Sequence, residues 1–109
     1  MKTWYEKIID AHRRVTDSVS HYERLKSDRY FVWQETGAKT LSADDIHKET
    51  AMSGKTDFFT KIEFDPWKDA FEFAMDKEGV IWNLDYIDYE EETGFIHYQW
   101  LWDVAGGGA

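Results

Sequence analysis

The residues whose types and spacing come nearest to a chemical signature are Ser53-Gly54-Lys55-Thr56, which imitate the close of a phosphate-binding loop. Such a loop needs a first glycine five positions before the second. Glu49 stands there instead, and its carboxylate would repel phosphate. The four histidines, His12, His21, His47 and His97, form neither an i, i+4 helical pair nor a metalloprotease pattern. His21 shares a strand face with Glu23, and His97 with Gln99, which is enough for an isolated divalent ion and short of a structural site. Asp85 and Asp88, three apart, are expected on opposite faces of a strand and so cannot form one acid–base pair. Asp44 and Asp45 lack the spaced oxygen ligands and the glycine of a calcium loop. No serine, threonine or lysine is framed by a nucleophile motif, so neither catalysis nor a cofactor or metal is expected.

What the sequence does supply is rings. Six Trp, six Tyr and seven Phe in 109 residues give a bulky core, while 32% charged residues keep the exterior polar. This is expected to be one domain over 1–104, with 105–109 a flexible Gly-rich tail. The chain has no cysteine, hence no disulfide or thiolate chemistry. No apolar stretch approaches the roughly 20 residues of a membrane span, and the N-terminus reads as an amphipathic helix, not a signal peptide. Charge is uneven: residues 1–77 hold 13 basic and 15 acidic side chains, and residues 78–109 hold seven acids and no base. That distribution argues against nucleic acid as the primary partner.

The elements follow from periodicity. Trp4, Ile8, Ala11 and Val15 recur at helical spacing and predict a helix ending near Arg14. Val19 to Leu25 reads as a short strand, and Tyr30-Phe31-Val32-Trp33-Gln34-Glu35 as a strand rich in β-branched and aromatic residues. From Thr36 to about Thr50 the period fails, and a loop or irregular excursion is expected, with Leu41 and Ile46 its large apolar residues. Met52 to Phe64 resumes a strand, with Met52, Gly54, Thr56 and Phe58 on one face. Asp65-Pro66 then starts a helix over about 66–77 whose stripe is Trp67, Ala70, Phe71, Ala74 and Met75, closed by Gly79.

The last quarter, Ile81 to Val104, reads as a hairpin turning at Glu91-Glu92-Thr93-Gly94. Its inner face is expected to carry Trp82, Leu84 and Tyr86, then Ile96, Tyr98, Trp100, Trp102 and Val104. The whole predicts an α+β fold, a mostly antiparallel sheet with two helices packed on it. The aromatic stripe could alternatively serve a small molecule or carbohydrate as a stacking platform, though such stripes are usually core.

Four segments, 30–35, 53–61, 63–67 and 89–100, carry a resemblance that extends over nearly the whole chain, and Tyr30-Phe31-Val32-Trp33-Gln34-Glu35, Phe64-Asp65-Pro66-Trp67 and Thr93-Gly94-Phe95-Ile96-His97-Tyr98 are its specific parts. It resembles a family of small proteins encoded by prophages and long-tailed phages of Gram-positive bacteria, the tail-completion or tail-terminator proteins. The resemblance implies a non-enzymatic α+β subunit forming a ring at the head–tail joint. It implies as partners further copies of itself and other tail or connector proteins, and no membrane. It also implies residence in the host cytoplasm during assembly and then in the virion tail. On this reading the interaction candidates are Lys39, Leu41 and Ile46 in the irregular excursion, and Glu90, Glu91 and Glu92 at the acidic hairpin tip.

Overall fold

A computed structural model describes residues 1–42 and 48–106, with the backbone alone for 40–42, 48 and 49. Its elements in chain order are α1 (Trp4–Arg13), β1 (Val19–His21), β2 (Arg29–Ser42), β3 (Lys48–Thr60), α2 (Trp67–Lys77), β4 (Ile81–Glu90) and β5 (Phe95–Ala105). One sheet takes the order β1-β2-β3-β5-β4, antiparallel except that β1 runs parallel to β2. Two helices and a largely antiparallel sheet make this the α+β fold read from the sequence.

Local chemistry explains the helix ends. Thr3 caps α1 through a capping box: its hydroxyl accepts from the Glu6 N–H, and the Glu6 carboxylate accepts from the Thr3 N–H. At α2, Asp65 Oδ1 accepts from the Trp67 N–H at 2.9 Å, so Asp65 caps the helix with Pro66 as its first residue. Gly79, at φ +72°, ends it in a Schellman motif, with bonds from Val80 N–H to Met75 O and from Gly79 N–H to Asp76 O. The stripe differs in one member: Phe71, Ala74 and Met75 are buried and Trp67 partly so, but Ala70 is exposed.

Both helices pack on one face of the sheet. Ranks of side chains cross that face, one running Val19, Phe31, Phe58, Tyr98, Ile87 and the next His21, Trp33, Thr56, Trp100, Leu84. Phe31, Phe58, Phe71, Met75, Ile8 and Trp100 form the centre of the core. Among the described residues no buried side-chain polar atom lacks a partner. The Trp102 indole N–H donates to Thr56 Oγ1 at 2.9 Å, Thr56 lies 3.1 Å from His12 Nε2, and His12 Nδ1 lies 2.7 Å from the Ile8 carbonyl. In the neutral His12 that burial favours, the Ile8 carbonyl fixes the proton on Nδ1, so Nε2 accepts from the Thr56 hydroxyl. The chain ties β5 through β3 to α1. Burial pushes the His12 pKa down to about 4, against the opposing pull of the Ile8 carbonyl.

Two expectations are corrected. Residues 36–42 and 48–50 are strand, not irregular loop: β2 and β3 pair from Arg29↔Thr60 out to Ser42↔Lys48. The turn-like Thr36-Gly37 is a bulge, with the register stepping between Glu35 and Gly37. The two strands stabilise each other across the hairpin, a non-local effect that no local period reports. Likewise β4 carries a bulge between Leu84 and Tyr86. Beyond it the alternation reverses, so Ile87 and Tyr89 stand on the helix face while Tyr86 pairs with Gln99 on the other. Asp85 accepts from Gln99 Nε2 at 2.8 Å and so lies on the same face as Asp88, which opposes His97.

The face without helices is covered in part by the 22–28 connection, whose Leu25 packs on Tyr30, Val32 and Phe59. Ala105 belongs to β5, its carbonyl accepting from Lys7 Nζ at 2.8 Å, and 107–109 lie outside the described residues. The molecule measures 51 × 23 × 23 Å.

Candidate assembly surfaces

The strand order fixes where each candidate residue stands. β2 and β5 run towards one end of the long axis, β3 and β4 towards the other. The β2–β3 hairpin therefore closes at one end and the β4–β5 turn at the opposite end. Lys39 is exposed near the first, its Nζ 2.8 Å from Asp103 Oδ2, and the Ser53 hydroxyl donates to Oδ1 of the same carboxylate. Those two donors outweigh burial and hold the Asp103 carboxyl below its ordinary pKa. Leu41 lies on the β2 backbone opposite Glu49, and Ile46 lies outside the described residues. At the other end Glu90 closes β4, its carboxylate accepting from Thr93 Oγ1 at 3.1 Å, and Glu91 and Glu92 are exposed in a turn made possible by Gly94 at φ +79°. The five candidates among the described residues thus fall into two groups at opposite ends of the molecule.

The sequence reading missed a third group. Phe64 is 90% exposed with its backbone at φ +53°, beside Ile87 at 53% and Tyr89 at 59%. With Ile96 and Tyr98 these line a groove below the N-terminus of α2. The adjacent pair Tyr86-Ile87 breaks strict alternation, and that break was the available signal. Behind the groove Asp65 is a fixed point. Arg29 donates to both its oxygens at 2.8 and 2.5 Å, and the Thr60 hydroxyl adds a third bond at 2.6 Å. Burial alone would raise the Asp65 carboxyl, but Arg29, Thr60 and the Trp67 N–H hold it below its usual range. The Arg29 guanidinium also stacks 3.6 Å above the Trp67 ring.

The sheet has two unlike edges. β4 pairs only with β5, so its outer side is open among the described residues. At the other edge β1 is three residues long, and α1 overhangs it to leave a groove of about 430 Å³ lined by Trp4, Tyr5, Ile9, Val19, His21 and Trp33 among others. His21 stacks on Trp33 at 3.9 Å and on Tyr22, and both His21 and Tyr22 bond to Glu35. Burial would raise the Glu35 carboxyl, yet these two bonds hold it below its ordinary pKa.

The chemical candidates are placed as plainly. Ser53-Gly54-Lys55-Thr56 lies inside β3, not in a loop. His97 is nearly buried, stacked on Phe59, with Nε2 2.7 Å from Asp57 Oδ1. Among the described residues no cluster of three His, Cys, Asp or Glu side chains is arranged to hold a metal. Tyr98, Trp100 and Trp102 lie beneath the helices and present no ring face for stacking a sugar.

No protein-family model matches the chain, and no curated protein matches it. A solved structure described as the virion of a native gene transfer agent particle is similar over 97% of this chain and 92% of that one, at 8% identity and a TM-score of 0.49.

Proposed function

We propose that the protein is a structural subunit of a phage or prophage virion, a tail-completion protein of the terminator kind that works as a ring at the head–tail joint. The reading is supported by the resemblance carried by the YFVWQE, FDPW and TGFIHY segments. One geometric observation carries the assembly part: among the described residues the sheet has two open edges of different character, a long acidic β4 and a short β1 beside a groove whose rings and aliphatic side chains are mixed with Arg13, Asp17 and Glu35. A subunit whose two edges differ associates head to tail, and head-to-tail contacts close into a ring or continue as a filament. The role involves no catalytic step and no cofactor. Its partners are further copies of the chain and the tail and connector proteins above and below the ring. The candidates, Lys39 with Leu41 at one end of the molecule and Glu90 with Glu91 and Glu92 at the other, together with Ile46, are the surfaces offered to those partners.

The test is deletion of the gene from the phage or prophage that carries it, with wild-type complementation. Filled heads beside unjoined tails, many of abnormal length, are the expected outcome under the microscope. Normal joined particles in the deletion would overturn the reading.

A further inference from the structure

We propose that the outer edge of β4 in one copy adds as an antiparallel strand to β1 of the next, seating Ile87 and Tyr89 in the groove between α1 and β1. That the partner is a second copy rests on the assembly reading above; the pairing itself rests on features of the chain.

Direction comes first. β1 and β4 run opposite ways at the two edges of one sheet, so copies set side by side with their helices on the same face meet antiparallel without either being turned over. Backbone groups are available: Ser18 O and Tyr22 N bond to β2 through Phe31 N and Trp33 O. The alternation of a parallel ladder then directs the His21 N–H and C=O outward. Level agrees as well, because the rank starting at Val19 ends at Ile87 and the rank starting at His21 ends at Leu84. Copies placed without a shift along the strands bring exposed Ile87 beside Val19 at the mouth of the groove, next to its apolar members Trp4, Ile9 and Trp33.

Charge selects this pairing over its rivals. Residues 81–94 carry five acids and no base, whereas residues 13–26 carry four bases and two acids, with Arg13, Arg24 and Lys26 exposed. Two β4 edges together would set the acids Asp85, Asp88 and Glu90 of one copy against those of the other, so like-edge pairing is disfavoured and unlike-edge pairing favoured.

The chain's lack of cysteine gives a clean test. Ser20 and Tyr86 share a rank on the face without helices, through Val32, Asp57 and Gln99. Within one copy they stand four strand spacings apart, roughly 19 Å, too far for a disulfide. Mixing the single variants Ser20→Cys and Tyr86→Cys under mild oxidation is expected to give a mixed disulfide several-fold in excess of Ser20→Cys mixed with Phe73→Cys, whose site lies on exposed α2. Ser18→Cys with Asp88→Cys, one rank away, is an independent second pair should either first variant melt early. Yields no higher than the Phe73 control for both pairs would overturn the proposal. The double variant Ser20→Cys/Tyr86→Cys separates this from the ring: closed cross-linked circles uphold both, and an open-ended ladder upholds the edge contact while counting against the ring.

Discussion

Gly54 lies directly under the indole of Trp102. A Cβ built on Gly54 would meet Trp102 Cη2 at 2.2 Å and the Gln34 carbonyl oxygen at 2.6 Å. The ring can be trimmed, but the backbone carbonyl cannot move without disturbing β2. The glycine in the apparent nucleotide motif is therefore there for packing. Gly54→Ala is expected to destabilise the fold by about 2–3 kcal/mol through overpacking, and Trp102→Leu to recover only part of it. Wild-type midpoints in urea for Gly54→Ala would refute this account.

Trp100 has no solvent exposure, and its indole N–H donates to Glu72 at 3.0 Å, pinning β5 to α2. Truncation to alanine leaves a large cavity and takes one donor from Glu72, which keeps its bond to Lys68, so Trp100→Ala should cost about 3–5 kcal/mol. Denaturant unfolding that shows a loss under about 1 kcal/mol would mean that the site collapses freely.

Asp65 does more than cap α2. Asp65→Ala removes the cap and a buried partner of Arg29, whose own side chain keeps some solvent access, so the loss is put at about 2–4 kcal/mol. Asp65→Asn, which retains an acceptor for the Trp67 N–H, should fall between the two. Equal losses in both variants would assign the whole effect to the ion pair.

Acid sensitivity should come first from His12. An unfolded histidine takes up a proton near pH 6.5, and the buried one only near about 4. Over that interval the unfolded chain binds more protons, so stability falls as pH falls, by a total of about 3 kcal/mol. His12→Gln, which titrates nothing there, should flatten that part of the profile in chemical denaturation run from pH 7 to 4; an unchanged slope would show that His12 is not its source.

Phe64 holds a left-handed backbone with almost its whole side chain in water. Folding gains little from it, so Phe64→Asn should leave stability unchanged or raise it by up to about 1 kcal/mol. A clear destabilisation would show that the ring is packed in solution.

Elements governed by local chemistry were legible. The stripe of α1, Asp65-Pro66, Gly79, Gly94 and the alternation from Ile96 to Val104 each state their conformation within a few residues. What depended on distant partners was not. Gly37 and Ala38 become strand because Ser53 and Met52 lie opposite, and Ile87 changes face because a bulge absorbs one residue before it. The candidate residues were recognisable as two groups. Their separation to opposite ends follows from β5 inserting between β3 and β4, a topological fact with no local signature. The same insertion makes β4 an edge.

The long strands also set how the molecule bears force. A strand of 13 residues such as β3 extends roughly 43 Å, so the 51 Å axis is the strand direction. Tension applied between the β2–β3 tip and the β4–β5 turn would load the ladders in shear, with many hydrogen bonds resisting together. The same tension applied across the β4 edge would open its ladder one bond at a time. The molecule is expected to resist tension from end to end and to peel from the side.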